Sequence, residues 1–230
     1  MYHAVIVAAG TGERMDSLVP KQYLPVLGKP VLAHTLEVFQ DASFIQNIVV
    51  VINPHHQKIF QEGILKSENV GKRIQWVYGG DTRQKSVLAG VTALEEFSED
   101  YVLIHDGVRM LVSHDILKRC AEAVREYEAA CCAVPCVDTL KVTSNGRTID
   151  HSLDRNTVWR AQTPQAFRIS LALKALRKAE EEGFHGTDDA SLVERTGHPV
   201  VLVPGSEDNF KITTACDFLR AEELIRWMNV

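Results

Sequence analysis

Short apolar runs of strand length alternate along this chain with stretches whose apolar residues return every three or four positions. The first kind predicts buried strands, at Ala4 to Val7, Ile48 to Ile52, Ile74 to Tyr78, Val102 to Ile104, Cys131 to Val134 and Val200 to Val203. The second predicts helices, because Leu32, Leu36 and Phe39 fall on one helical face, as do Leu117, Cys120, Ala121 and Val124, and again Phe218, Ala221, Ile225 and Met228. Ser113 suits the N-cap of the second helix, and Gly183 the stop of a helix beginning near Ile169. Strand-helix alternation of this kind gives an α/β protein with a mostly parallel sheet and helices on both faces. Residues 137–159 break the pattern. They are polar, alternate in Thr139-Leu140-Lys141-Val142, carry a turn signal at Ser144-Asn145-Gly146, and read as an extended β-arm reaching away from the core.

Composition narrows the class. The 230 residues are enough for one α/β domain, so a single domain over 1–230 is expected, without a fused second enzyme. No apolar stretch approaches the roughly 20 residues needed to span a bilayer, and the N-terminus carries no signal-peptide pattern, so a cytoplasmic protein with no membrane partner is expected. Net charge is -5, which argues against a nucleic-acid partner. Five cysteines without paired C-x-x-C spacing read as buried reduced thiols, and no histidine pair has ligand spacing, so no protein metal ligand is assigned.

The candidate chemistry begins where the first apolar run stops. There the chain reads Ala8-Ala9-Gly10-Thr11-Gly12-Glu13-Arg14-Met15, followed by Lys21 in Pro20-Lys21-Gln22-Tyr23. Glycines let backbone N–H groups close on an anion, and left-handed backbone can aim several of them at one point, while Arg14 and Lys21 bring charge. Further candidates also follow strand ends, where ligands of open α/β sheets bind. Gly79-Gly80-Asp81 follows Tyr78, with Arg83 and Ser86 entering the next helix; Asp106 and Arg109 follow Ile104; Thr139 and Lys141 follow Val137; Lys211 follows the last strand. Cations and acids on one rim suit a polyphosphate with a divalent metal.

These segments, together with Val137-Asp138-Thr139, Asp154-Arg155-Asn156, Gln162-Thr163-Pro164-Gln165, Thr187-Asp188-Asp189-Ala190-Ser191 and Asn209-Phe210-Lys211-Ile212-Thr213, resemble the 2-C-methyl-D-erythritol 4-phosphate cytidylyltransferase family of the non-mevalonate isoprenoid pathway, almost end to end. The resemblance implies a Rossmann-like fold, transfer of CMP from CTP to methylerythritol phosphate with release of pyrophosphate, Mg2+ carried mainly on the CTP phosphates, and a homodimer whose arms close each other's sites. It implies catalytic roles for Arg14, Lys21 and Lys211. Ala8, Ala9, Gly10, Thr11 and Gly12 would cradle the nucleotide, and Gly80, Asp81 and Ser86 would read the base. Asp106, Arg109, Thr139 and Thr163 would line the acceptor pocket, with Arg155 arriving from the partner subunit.

Plainer readings stand beside these. Asp188 and Asp189 also suit a helix N-terminus, Asp81 a helix cap, Thr163 before Pro164 a turn, and Arg83 and Lys85 solvated helix charges. His105 reads as a core residue or one supporting the site, His34 as helical, and His55-His56 as an exposed loop. The family usually continues His-Asp with Ala-Ala-Arg-Pro, whereas this chain has Gly107-Val108-Arg109-Met110, which loosens the placement of Arg109; Val7 likewise replaces a common proline. Alternative activities are a ribitol 5-phosphate cytidylyltransferase, a glycosyltransferase, whose usual Asp-x-Asp motif is absent, and a non-catalytic nucleotide-binding module.

Overall fold

The computed structural model describes residues 1–10, 19–66 and 74–228. Strand β1 (Tyr2–Ala8) leads through the two-residue strands β2 (Pro25–Val26) and β3 (Lys29–Pro30) to helix α1 (Val31–Asp41). Then come β4 (Ile45–Ile52), the short α2 (Gln57–Phe60), β5 (Ile74–Tyr78), α3 (Arg83–Thr92), β6 (Tyr101–Asp106), α4 (His114–Tyr127) and β7 (Ala129–Pro135). The arm holds β8 (Lys141–Val142) and β9 (His151–Ser152), and β10 (Trp159–Arg168), α5 (Ile169–Glu181), α6 (Asp189–Glu194), β11 (Val201–Pro204) and α7 (Ala215–Met228) follow.

All six strands expected from the apolar runs are present: β1, β4, β6 and β7 run somewhat longer than their apolar stretches, β5 keeps the expected bounds, and β11 is displaced by a single position. They form a sheet in the order β11-β7-β10-β6-β1-β4-β5. Every pairing is parallel except those of β10, which runs antiparallel to both β6 and β7. Side chains of a strand alternate between faces, and β1 shows what that does here. Ala4, Ile6 and Ala8 join Leu32, Leu36 and Phe39 of α1 and Leu117, Cys120 and Val124 of α4 in one core. Val5 joins Val87 and Val91 of α3, Leu173 and Leu176 of α5 and Val193 of α6 in another. Helices therefore cover both faces. On the second face α3 sits close enough that a Cβ at Gly90 would lie 2.5 Å from Val5 Cγ1 and 2.7 Å from Val51 Cγ2, so only glycine fits there.

Local signals hold at several helix ends. The Ser113 hydroxyl caps α4 by accepting the Ile116 N–H, and Gly183 follows α5 with φ +62°. Two expectations on apolar faces need correction. Met228 is 63% exposed rather than packed with Phe218, Ala221 and Ile225, because α7 buries only a narrow stripe against Val26, Val31, Val108, Met110 and Ile212. Of the cysteines, Cys120, Cys131, Cys132 and Cys136 are buried but Cys216, on the outer side of α7, is exposed; burial pushes the Cys131 thiol up to about 12.

The arm is a two-stranded hairpin of its own, β8 against β9, with Gly146 in the left-handed region at φ +71° inside the turn. Every residue from 143 to 157 is exposed. Strand β10, which begins where the arm ends, has no counterpart among the sequence expectations. Its middle reads Gln162-Thr163-Pro164-Gln165, polar and proline-bearing, and its pairing with β7 shifts register between Ala161 and Gln165, where Pro164 has no N–H to offer. The Thr163–Pro164 peptide is cis.

Candidate active site

A cleft of about 460 Å³ opens at the carboxyl ends of the strands, against β1, β4, β5 and β6. Its floor starts at Ala8, the last residue of β1, and at Ala9 and Gly10, which carry the chain beyond the sheet. Gln22, itself buried, fixes this segment by donating through Nε2 to the carbonyls of Ala8 and Gly10, both at 2.8 Å. Gly10 is not left-handed, and among the described residues nothing lies within 4 Å of where a Cβ would stand there. The next wall comes from the turn after β5. A Cβ at Gly79 would lie 2.6 Å from Ala9 Cβ and 2.6 Å from Ser86 Oγ, so glycine lets this turn press against the end of β1. Ser86 Oγ donates back to the Thr82 carbonyl at 2.9 Å.

Thr82, not Asp81, caps α3, its hydroxyl accepting the Lys85 N–H; Asp81 is exposed and pairs with Lys85 across one helical turn. Lys85 is a helix-surface charge, in line with the plainer reading. Arg83 is not. Its two terminal nitrogens donate to Asp189 Oδ1 and Oδ2 at 3.0 and 2.9 Å, and its Nε donates to Asp106 Oδ1 at 3.1 Å. The two neighbouring acids of Thr187-Asp188-Asp189 thus part ways: Asp188 caps α6 in a capping box with Ser191, and Asp189 is buried under Arg83.

Asp106, at the end of β6, is the hub of the site. It is 7% exposed; Arg83 holds one carboxylate oxygen, Lys211 Nζ the other at 2.8 Å, and Arg109 Nε stands 3.8 Å away. Burial alone would raise this carboxyl, but the charges of Arg83, Lys211 and Arg109 override it and hold the group well below the usual carboxylate range. Burial likewise works against the Arg83 guanidinium, and Asp189 with Asp106 carries it above its ordinary value. Lys21 enters from a 3₁₀ turn at Lys21–Tyr23, lines the cleft and donates to the Ile212 carbonyl at 2.8 Å, one residue beyond Lys211. Among the described residues, four cations, Lys21, Arg83, Arg109 and Lys211, thus gather around the two buried acids and the exposed Asp81, an excess of positive charge that suits a polyanion.

The cleft therefore unites Ala8, Ala9, Gly10, Lys21, Gly80, Asp81, Ser86, Asp106 and Lys211 of the expected site residues. Thr11, Gly12 and Arg14 lie outside the described residues. Arg109 and Thr163 sit behind Asp106, not in the cleft wall: Arg109 donates to the Asn209 carbonyl at 2.8 Å, and the Thr163 hydroxyl accepts the Asp106 N–H at 3.0 Å. Thr163 is thus no simple turn marker. Thr139 is exposed at the root of the arm and does not line this cleft, contrary to the acceptor-pocket expectation for a single chain. Arg155 is also outside it, beside a separate hollow of about 390 Å³ with Cys136, Val137 and Trp159. Asn53 and Gln22 were not expected as cleft residues; the position of Gln22 beside Lys21 and of Asn53 at the end of β4 were the available signals, whereas Arg83, a candidate from its place after β5, does line the cleft.

The sequence model of the 2-C-methyl-D-erythritol 4-phosphate cytidylyltransferase family matches residues 2–227. This chain belongs to that family. Relatives of that name from Geobacter metallireducens and Caldanaerobacter subterraneus subsp. tengcongensis are 44% and 43% identical over 225 and 223 residues, covering 97% of this chain and 97% and 98% of theirs. Among solved structures, the 4-diphosphocytidyl-2C-methyl-D-erythritol synthase of Anaerococcus prevotii superposes with a TM-score of 0.87 at 32% identity, covering 98% of this chain and 96% of that one. The Thermus thermophilus cytidylyltransferase superposes at 0.79 and 32% identity, over 98% of this chain and 100% of its own. Membership in the cytidylyltransferase family accounts for a cleft that is cationic although the chain as a whole carries a net charge of -5.

Proposed function

We propose that this chain transfers CMP from CTP to the phosphate of 2-C-methyl-D-erythritol 4-phosphate, releasing pyrophosphate. The observation that carries the reading is the convergence of Lys21, Lys211 and the Asp106 hub on the open floor at Ala8 to Gly10. The acceptor is a phosphate monoester, dianionic above its second pKa of roughly 6, so the nucleophile needs no base. What it needs is neutralisation, because an anion must approach an anion, and pre-placed cations around the α-phosphate supply it without reorganisation. Lys21 and Lys211 are placed for this; the turn at Gly80 and Asp81 with Ser86 offers the polar groups for the base.

Among the described residues no three His, Cys, Asp or Glu side chains come together to hold a metal, and both oxygens of Asp106 already accept from Arg83 and Lys211. A magnesium ion therefore fits this site as one borne on the triphosphate, where it would neutralise charge on the departing pyrophosphate. The chain's own part is to hold the phosphates with its lysines. A homodimer completes the reading: the arm is exposed, carries exposed Val137, Ile149 and Leu153, and keeps Arg155 and Thr139 away from the cleft of their own subunit, where a partner's cleft can receive them. Arg155 suits a phosphate because its planar fork donates in pairs. No helix of the described residues is long and apolar enough to cross a membrane, and a reducing compartment such as the cytoplasm suits the buried thiols.

Incubating the pure protein with CTP, magnesium and either methylerythritol phosphate or ribitol 5-phosphate tests the activity. Pyrophosphate should appear with the first acceptor only; release with ribitol phosphate alone, or with neither, overturns the assignment. The shared site has its own test. Arg155→Ala and Lys21→Ala proteins should each be nearly inactive, and mixing them after a dissociation step should restore activity through heterodimers with one intact site. No recovery on mixing counts against a site built by two subunits.

A further inference from the structure

His105 is wholly buried as the last residue but one of β6, next to Asp106, and its ring packs on Phe39 of α1 with centroids 5.0 Å apart. Its two nitrogens have different partners. Nε2 lies 3.1 Å from the Arg109 carbonyl oxygen, and Nδ1 lies 3.0 Å from Thr163 Oγ1. A carbonyl oxygen can only accept, so Nε2 carries a proton. In a neutral ring Nδ1 is then bare and must accept, which obliges the Thr163 hydroxyl to donate its hydrogen to Nδ1. The same oxygen is thereby left as an acceptor for the Asp106 N–H at 3.0 Å. The proton order is fixed from one end to the other: Asp106 N–H to Thr163 oxygen, Thr163 O–H to His105 Nδ1, and His105 Nε2–H to the Arg109 carbonyl.

This chain of bonds laces the turn Asp106-Gly107-Val108-Arg109 at both ends and anchors it to β10. The turn holds a glycine and no proline, so nothing covalent fixes it. Its own backbone contributes one bond, Arg109 N–H to the Asp106 carbonyl at 3.0 Å, and Gly107 N–H reaches the Val7 carbonyl at 2.9 Å. We propose that His105, as the neutral Nε2–H tautomer, is the positioning residue that sets Asp106 and Arg109 relative to each other for the acceptor. The inference rests on the activity proposed above and on the acceptor-binding roles that the family resemblance implies for Asp106, in the cleft wall, and for Arg109, behind it. The charged groups facing the ring are Asp106 on β6 and Arg109 on the turn; α1 and β10 bring Phe39 and Thr163, which do not titrate. Burial dominates over the hydrogen bond to Arg109 and the charge of Asp106, and its pKa of about 4 keeps the ring neutral at working pH.

Nitrogen NMR of the histidine-labelled wild-type protein reads the tautomer without any ligand. His105 should show a protonated Nε2 and a bare Nδ1 unchanged between pH 5.5 and 8.5, and Thr163→Val should shift Nδ1 while leaving Nε2 protonated. A protonated Nδ1 or a charged ring in that range overturns the proposal and leaves the activity untouched. Kinetics supply the functional arm: His105→Phe keeps the packing on Phe39 and should raise KM for methylerythritol phosphate about tenfold, the worth of a hydrogen bond or two, with KM for CTP within about twofold. His105→Gln, which can still donate to the Arg109 carbonyl, should recover part of that loss and serves alone if the Phe variant does not fold. Equal changes in both KM values overturn the proposal, and absence of turnover in the wild type overturns it together with the activity.

Discussion

Lys21→Ala is expected to lower kcat by roughly 10²- to 10³-fold, the loss typical of one pre-placed donor to a transition state, or about 3–4 kcal/mol. The lysine is not a helix-surface charge that alanine could replace at little cost. It stands on a 3₁₀ turn, is aimed into the cleft, and is steadied by the Ile212 carbonyl at 2.8 Å. In the transition state charge builds on the α-phosphate, and an ammonium already in place gains strength as it builds, whereas its effect on bound CTP is smaller. Steady-state kinetics should therefore show a large fall in kcat with a modest change in KM for CTP. Lys21→Arg keeps the charge but not the compact shape, and should recover only part of the rate. A variant with normal turnover would remove Lys21 from the chemistry.

Arg83→Met should cost about 3 kcal/mol of stability at neutral pH, the low end of what breaking a buried ion pair costs, since the Arg83 side chain keeps 33% of its exposure. Asp106 retains Lys211 in this variant, whereas Asp189 loses the fork that holds both of its oxygens. For a protein of this size the melting temperature should drop by roughly 6–12 °C. The pH dependence carries the diagnosis. In the intact protein the depressed Asp106 carboxyl contributes stability that is present above the ordinary carboxylate pKa of about 3.9 and lost as pH falls through the lowered value. Burial raises the Asp189 carboxyl even with Arg83 beside it, so without the arginine it rises further. A group raised in this way penalises the folded state at high pH, and the penalty fades as the pH falls and the group takes up its proton. The deficit should therefore shrink between pH 7.5 and pH 5.5; an equal deficit at both would point to lost packing rather than an unpaired acid.

Much of the architecture was legible because the central parallel strands are buried on both faces and so read as unbroken apolar runs, as Ile48 to Ile52, wholly buried, shows; the edge strand Ile74 to Tyr78, only partly buried, still matches its expected bounds. Strand β10 was illegible for the opposite reason. Gln162, Thr163 and Gln165 occupy a central strand as polar residues, tolerated because the fold supplies each with partners: Gln162 with Ser206 and Asn209, Thr163 with His105, Gln165 with Asp188 and Ala190. The cleft followed from residues after strand ends, since a sheet's carboxyl edge gathers them whatever their distance in sequence. What fills the space behind the cleft did not. Arg83 and Asp189 are 106 residues apart, and nothing in either segment tells which of two adjacent acids will turn inward. Thr139 and Arg155 stand apart from the cleft because the arm carries them into solvent.

The bond between Lys21 and the Ile212 carbonyl spans 191 positions, and Ile212 is held in the small cluster that also takes Val26, Val31, Val108, Met110 and Ala221. A chain emerging from the ribosome exposes its opening loop first, at about 5–20 residues per second. Most of the sheet can pair while synthesis continues, but the carbonyl that takes this bond from the lysine is absent until the segment near residue 212 has emerged and packed beneath α7. The phosphate-handling centre is therefore among the last parts of a newborn molecule to mature, and a nascent chain stalled before that segment would hold a nearly complete scaffold without a working catalyst.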